Sequence, residues 1–121
     1  MAQNFKVAGA ASLPLEDGTN AAPVDLTVSL AYTGRADFVR SYAGAVTDEA
    51  VNLGTLASPG AKGVLIKALS GSCTVKFNGG ADAWPIAVGG YFLWVNPSTP
   101  FPTAVLLTTT GSASILFIAV G

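Results

Sequence analysis

Val24, Leu26, Val28, Leu30 and Tyr32 share one parity along the chain, and Asp25, Thr27, Ser29, Ala31 and Thr33 share the other. A period of two sends successive side chains to opposite faces of an extended segment. This stretch therefore predicts a strand with one apolar and one wet face. After a turn at Gly34-Arg35, Phe38, Arg40 and Tyr42 alternate with Asp37, Val39 and Ser41, which predicts a second and more polar strand. Residues 50–57 are a third candidate. The overlapping segment 43–53 holds Thr47-Asp48-Glu49-Ala50, where the two acids suit the start of one helical turn. No longer stretch has the helical period.

The second half reads as a run of hairpins. Residues 63–69 predict a strand that turns at Ser70-Gly71. Cys73, Val75 and Phe77 then face inward, with Thr74 and Lys76 outward. Asn78-Gly79 is a strong hairpin signal, because both central positions of a type I′ turn need positive φ. Residues 83–88 predict a strand that Pro85 confines to a sheet edge. After Gly89-Gly90, residues 91–95 are bulky at nearly every position and read as a strand buried on both faces. Residues 96–102 hold three prolines and predict a stiff loop. Residues 104–109 and 113–120 predict two strands joined at Thr110-Gly111-Ser112. About eight to ten short antiparallel strands at this spacing indicate an all-β sandwich or barrel. Residues 1–23 show little alternation beyond Phe5 and Val7. They are expected to form an N-terminal arm, with one β-sandwich domain over 24–121.

Charge adds a positional clue. Only 11% of the 121 residues are charged, for a net charge of −1, against a usual fraction of about 25%. Half are apolar, which excludes a disordered chain. Asp82 is the last charged side chain, and residues 83–121 carry none. A membrane span needs about 20 mainly apolar residues. Here glycines, prolines and threonines interrupt the segment, and the longest apolar run is residues 115–120. Near the N-terminus Lys6 is the one cation, and Pro14, Glu16 and Asp17 break any apolar region, so no secretory leader is expected. Coverage of the charge-free surface by protein is the remaining expectation.

The sequence is poor in reactive groups. It has no histidine, the commonest general base and metal ligand. Glu16-Asp17 and Asp48-Glu49 are sequence neighbours at turns, not carboxyls converging on one substrate. Ser72 and Ser112 sit in turns with no histidine to activate them. Residues 54–60 are flanked by glycines but lack the Lys-Ser/Thr of a phosphate loop. Asp37, Asp48 and Asp82 are scattered, without the Asp-x-Asp spacing of a calcium loop. No catalytic, cofactor or metal residue is expected. The six cations run from Lys6 to Lys76 without clustering, which disfavours nucleic acid. Cys73 reads as a small buried hydrophobe. Trp84, Tyr91, Trp94 and Phe101 lie close together and could form a stacking platform for a sugar, or core and interface packing. Trp84 and Phe101 flank loops and are the better surface candidates.

Four segments, Lys62-Gly-Val-Leu-Ile-Lys67, Cys73-Thr-Val-Lys-Phe-Asn78, Gly89-Gly-Tyr-Phe-Leu-Trp94 and Ser114-Ile-Leu-Phe-Ile-Ala-Val-Gly121, follow one another in an order that resembles small jelly-roll β-sandwich proteins of bacteriophage virions. The resemblance is to the capsid decoration or cement type and covers the chain from Lys62 onward. It implies a jelly-roll-like fold and a structural subunit without catalytic residues. It also implies a homo-oligomer (trimer or dimer) that binds the major capsid protein and resides in the virion after synthesis in the host cytoplasm. Phe5, Trp84, Pro97 and Phe101 are then the expected interface residues. A phage tail or receptor- or carbohydrate-binding module using Trp84, Tyr91 or Phe101 is the alternative. A small major capsid protein is disfavoured by the lack of a basic arm, and a cellular trimeric β-domain stays open.

Overall fold

Twelve strands run through the computed structural model, which describes residues 3–11 and 24–121. The first four are β1 (Gln3–Val7), β2 (Ala10–Ala11), β3 (Val24–Asp25) and β4 (Val28–Tyr32). They pair as two small ribbons, β1 with β4 and β2 with β3. The remaining eight are β5 (Arg35–Tyr42), β6 (Val46–Ala50), β7 (Gly63–Ser70), β8 (Cys73–Phe77), β9 (Trp84–Ile86), β10 (Tyr91–Val95), β11 (Val105–Thr109) and β12 (Ala113–Val120). These form two four-stranded antiparallel sheets, ordered β10-β7-β12-β5 and β6-β11-β8-β9.

The pairing is nested. β5 lies beside β12, β6 beside β11, β7 beside β10 and β8 beside β9. One long hairpin rolled into two sheets has this order, which makes the fold an all-β jelly roll. Each sheet turns alternate residues inward. Val64, Ile66, Ile115 and Phe117 from the first sheet meet Val75, Val105 and Leu107 from the second, all essentially without solvent contact. Burying each of these large side chains contributes about 1.5–3 kcal/mol. Phe38 stacks on Phe117 with ring centroids 5.2 Å apart. At the far end, the β7–β8 turn packs so closely on the β11–β12 turn that a Cβ on Gly71 would sit 2.4 Å from the Ser112 carbonyl. Its φ of +66° independently favours glycine.

Several expectations are corrected. The strand foreseen over residues 24–33 is split, because the Asp25 side chain accepts a hydrogen bond from the Thr27 N–H at 2.8 Å and bends the chain. That bond also holds the Asp25 carboxyl below its usual pKa. The helical turn foreseen within 43–53 is strand β6, which gains main-chain pairing to β11. The strand foreseen over 50–57 is instead a 3-10 turn, Gly54–Ala57, which buries Leu56. β10 turns Tyr91 and Leu93 to the uncovered outer face of the first sheet, so they face solvent where burial on both faces was expected. Asn78 and Gly79 do adopt positive φ (55° and 71°), but the β8–β9 ladder begins beyond the turn, at Val75 opposite Trp84. Of the expected arm, β1 and β2 are described, and residues 1, 2 and 12–23 lie outside the described residues. Among the described residues no helix is long and apolar enough to cross a membrane.

Candidate functional site

Two surfaces depart from the plain exterior of a small β protein. The first is a cleft where the edge strands β9 and β10 meet, beside the loops 78–83 and 96–104. Phe77, Gly80, Asp82, Trp84, Phe92, Trp94 and Phe101 line a volume of about 350 Å³. The rings run in a horseshoe. Trp84 lies 6.4 Å from Phe92, Phe92 5.0 Å from Phe77, Phe77 6.3 Å from Phe101, and Phe101 5.7 Å from Trp94, all between centroids and all tilted. These distances fall in the favourable range for aromatic pairs. Phe77 is the buried floor, while Trp84 and Phe101 are 52% and 48% exposed. Asp82 supplies the one charged side chain of the lining.

Asn78 holds one wall in place. Its side-chain amide donates to the Phe101 carbonyl at 2.8 Å. Its Oδ1 accepts from the N–H groups of Thr103 and Ala104 and from the Thr103 hydroxyl, at 2.7–3.2 Å. The Phe101 N–H donates to the Ala61 carbonyl, and the Ala61 N–H returns a bond to the Pro102 carbonyl. Asn96 accepts from the N–H groups of Ser98 and Thr99. The proline-rich loop is thus anchored at several points, and Phe101 is presented by a fixed backbone.

The second surface is the outer face of the first sheet. Register places Leu93, Leu65 and Ile118 in one row, and Tyr91, Lys67, Leu116 and Val39 in the next. Val39, Tyr91 and Leu93 are exposed, and Leu65, Leu116 and Ile118 are half-buried. At one end the β1–β4 ribbon lies on this face. Phe5 and Leu30 reach Gly63 so closely that a Cβ there would meet both within 3.3 Å.

Among the expected interface residues, the structure brings Trp84 and Phe101 into one cleft. Phe5 is half-buried under the ribbon against the outer face of the first sheet, and Pro97 is exposed on the 96–104 loop outside the cleft lining. Phe77 and Phe92 as cleft lining, and Asn78 as the anchor of the Phe101 wall, were missed. The Asn-Gly pattern signals only the turn, and partners more than twenty residues away leave no local trace.

Among the described residues, three acids on β5 and β6 are paired with cations. Asp37 is held bidentate by Arg35, which lowers its carboxyl pKa. Asp48 meets Lys76 at 3.3 Å, and Glu49 meets Arg40. Among the described residues no three histidine, cysteine, aspartate or glutamate side chains gather as a metal site. Cys73 is buried and free, and burial raises its thiol pKa. Its nucleophilic thiolate is accordingly scarce at neutral pH.

No family model matches this chain, and no curated protein does. Among solved structures, the cupin domain of Schizosaccharomyces pombe Cnp3 is similar at 12% identity and a TM-score of 0.47, covering 96% of this chain and 88% of that one. A protein of unknown function from Acidithiobacillus ferrooxidans has 14% identity and a TM-score of 0.35, with 97% and 88% covered. A Salmonella typhimurium protein assigned to ethanolamine utilisation has 10% identity and a TM-score of 0.41, with 96% and 97% covered.

Proposed function

We propose that the protein is a non-catalytic structural subunit that works by contact with other protein subunits, and that its setting is a phage virion, where it decorates or cements the capsid. The observation that supports this reading is the outer face of the first sheet. Its two central rows carry Leu65, Leu93, Ile118, Tyr91, Leu116 and Val39, with Lys67 and Asp37 as their charges. Contiguous apolar surface of this kind on a small protein marks a protein contact. The β1–β4 ribbon already uses one end of the face for packing, so the remainder continues a surface built for burial. The occupant in this reading is a second copy of the chain within the oligomer, and the oligomer in turn sits on the major capsid protein. Burial of apolar area supplies the driving force, and no bond is made or broken.

The test is stoichiometry. Light scattering of the isolated protein is expected to give a defined dimer or trimer. Quantification in purified particles from the encoding locus is expected to give a fixed number of copies per capsomer. A well-behaved monomer encoded away from any head genes would overturn the reading.

The aromatic cleft supports the alternative, a receptor- or carbohydrate-binding module. It ranks second because a sugar presents several hydroxyls, and the lining offers one carboxylate and no amide or guanidinium side chain to pair with them. A glycan array discriminates the two, since a decoration subunit gives no saturable sugar signal.

A further inference from the structure

We infer that the cleft formed by Phe77, Trp84, Phe92, Trp94 and Phe101, with Asp82 at its rim, is a binding site for a methylated ammonium group, such as a choline-type head group or a methylated lysine. The inference is independent of the virion reading, because it rests on the cleft alone.

Three observations point to this chemistry. The first is the wall. Five aromatic rings line the cleft in a horseshoe, and the negative quadrupole of an aromatic face attracts a cation within about 6 Å of the centroid. The second is charge. Asp82 is the one charged side chain in the lining and takes part in none of the three ion pairs among the described residues. No lysine or arginine lines the cleft to compete for it. The third is fixity. Asn78 and the Ala61–Pro102 bonds hold the Phe101 wall before any ligand arrives, so little ordering cost falls on binding.

The ligand follows from what such a wall can satisfy. A primary ammonium needs three hydrogen-bond acceptors, and aromatic carbon supplies none. A sugar leaves most hydroxyls unpaired. A neutral alkyl group would fill the space but would leave Asp82 unused. A methylated ammonium has an apolar exterior that packs on the rings, a positive charge that the π faces and Asp82 both favour, and few or no N–H groups to satisfy. Aromatic cages with one nearby acid are suited to it for these reasons.

The experiment uses the full chain and its intrinsic fluorescence. The protein has two tryptophans, and both line the cleft, so the signal reports this site without a label. Choline, phosphocholine and a trimethyl-lysine peptide are titrated against 3,3-dimethylbutanol, the neutral isostere of choline. Saturable change with choline, and at least about tenfold weaker response to the isostere, is expected. Asp82→Asn, at an exposed position that leaves the rings intact, is expected to weaken choline several-fold and leave the isostere unchanged. Trp84→Leu is expected to abolish the response to both. Tighter binding of phosphocholine would support a lipid or polymer head group as the source, and tighter binding of the peptide would support a modified protein tail. Equal binding of choline and its isostere, no saturation with any of the three cations, or saturable binding of a neutral monosaccharide in their place would each overturn the inference. These comparisons on the unmodified protein stand even if Trp84→Leu fails to fold.

Discussion

The two outer faces of the sandwich are made by the same chain on the same core, and they differ in kind. On the second sheet, Thr74, Lys76, Thr108 and Asp48 point outward, and Lys76 and Thr108 both reach the Asp48 carboxylate. On the first sheet, the equivalent rows are leucine, isoleucine, valine and tyrosine, with Lys67 and Asp37 as their charges. Core packing requires only that inner positions be apolar, and both sheets meet that except at Thr109, whose hydroxyl is hydrogen-bonded to the Gly44 carbonyl. The outer positions are free of this demand, so their difference reflects what each face meets. The second face is finished by water. The first is left with exposed Val39, Leu69, Tyr91 and Leu93, side chains that gain when something covers them.

The largest expected effect comes from placing charge on the first face. Leu65→Lys together with Leu116→Lys should weaken self-association by at least about 100-fold, roughly 2.7 kcal/mol, by sedimentation velocity. Thr74→Lys on the other face should leave it unchanged. Equal behaviour of the two variants would erase the functional distinction between the faces.

This contrast was partly legible beforehand. Alternation in Cys73–Phe77 and Ala113–Val120 exposes the inner rows directly, because a period of two depends only on local sequence. The charge-free segment 83–121 was harder to interpret. It divides between the sheets, β10 and β12 in the first and β9 and β11 in the second. β11 and β12 run through the middle of their sheets, so half of their residues are core, and that alone removes many positions where charge could sit. On the second sheet, β11 is flanked by β6 and β8, which supply Asp48 and Lys76. On the first, β12 is flanked by β5 and β7, which supply Arg35 and Asp37, paired with each other, Lys67, and Arg40, which reaches Glu49 of the other sheet. Which strands become neighbours depends on the nested pairing, a long-range property that no local window contains. The cleft was hidden for the same reason. Trp84 and Phe101 stand out as exposed aromatics near loops, but Phe77 and Phe92 read as ordinary core until β8 and β10 are brought to one seam.

A second, smaller effect concerns the part of the first face that is already covered. Gly63→Ala should push against Val120, Leu30 and Phe5, whose atoms lie 3.0–3.3 Å from the new Cβ. A cost of about 1–3 kcal/mol is expected in chemical denaturation. Amide exchange should accelerate in β1 and β4 while the second sheet stays protected. Uniform loss of protection would mean that the ribbon is part of the main cooperative unit. Smaller again is the ionic finish of the second face. Lys76 and Asp48 are both partly exposed, and exposed pairs contribute about 0–1 kcal/mol. A double-mutant cycle of Lys76→Ala with Asp48→Ala should return a coupling in that range that shrinks with salt.

The smallest effect separates the edges of the two faces by pH. On the first sheet Arg35 donates two hydrogen bonds to Asp37, at 2.9 Å each, and this holds the Asp37 carboxyl below its usual value. A carboxylate depressed in the folded state stabilises the fold above its unfolded value, about 3.9, and that contribution is lost as pH falls through the lower folded value. Both side chains are well exposed, at 54% and 42%, so solvent screens the pair and the change in global stability is small. The local signature is easier to read. A carboxyl carbon titration by NMR should place Asp37 below a free aspartate, and Arg35→Gln should return it to the ordinary range. A titration of Asp37 unchanged by Arg35→Gln would show that the bidentate pair does not hold in solution. The β5 edge of the apolar face would then keep a free carboxylate, a group that a covering subunit would have to neutralise with a cation of its own.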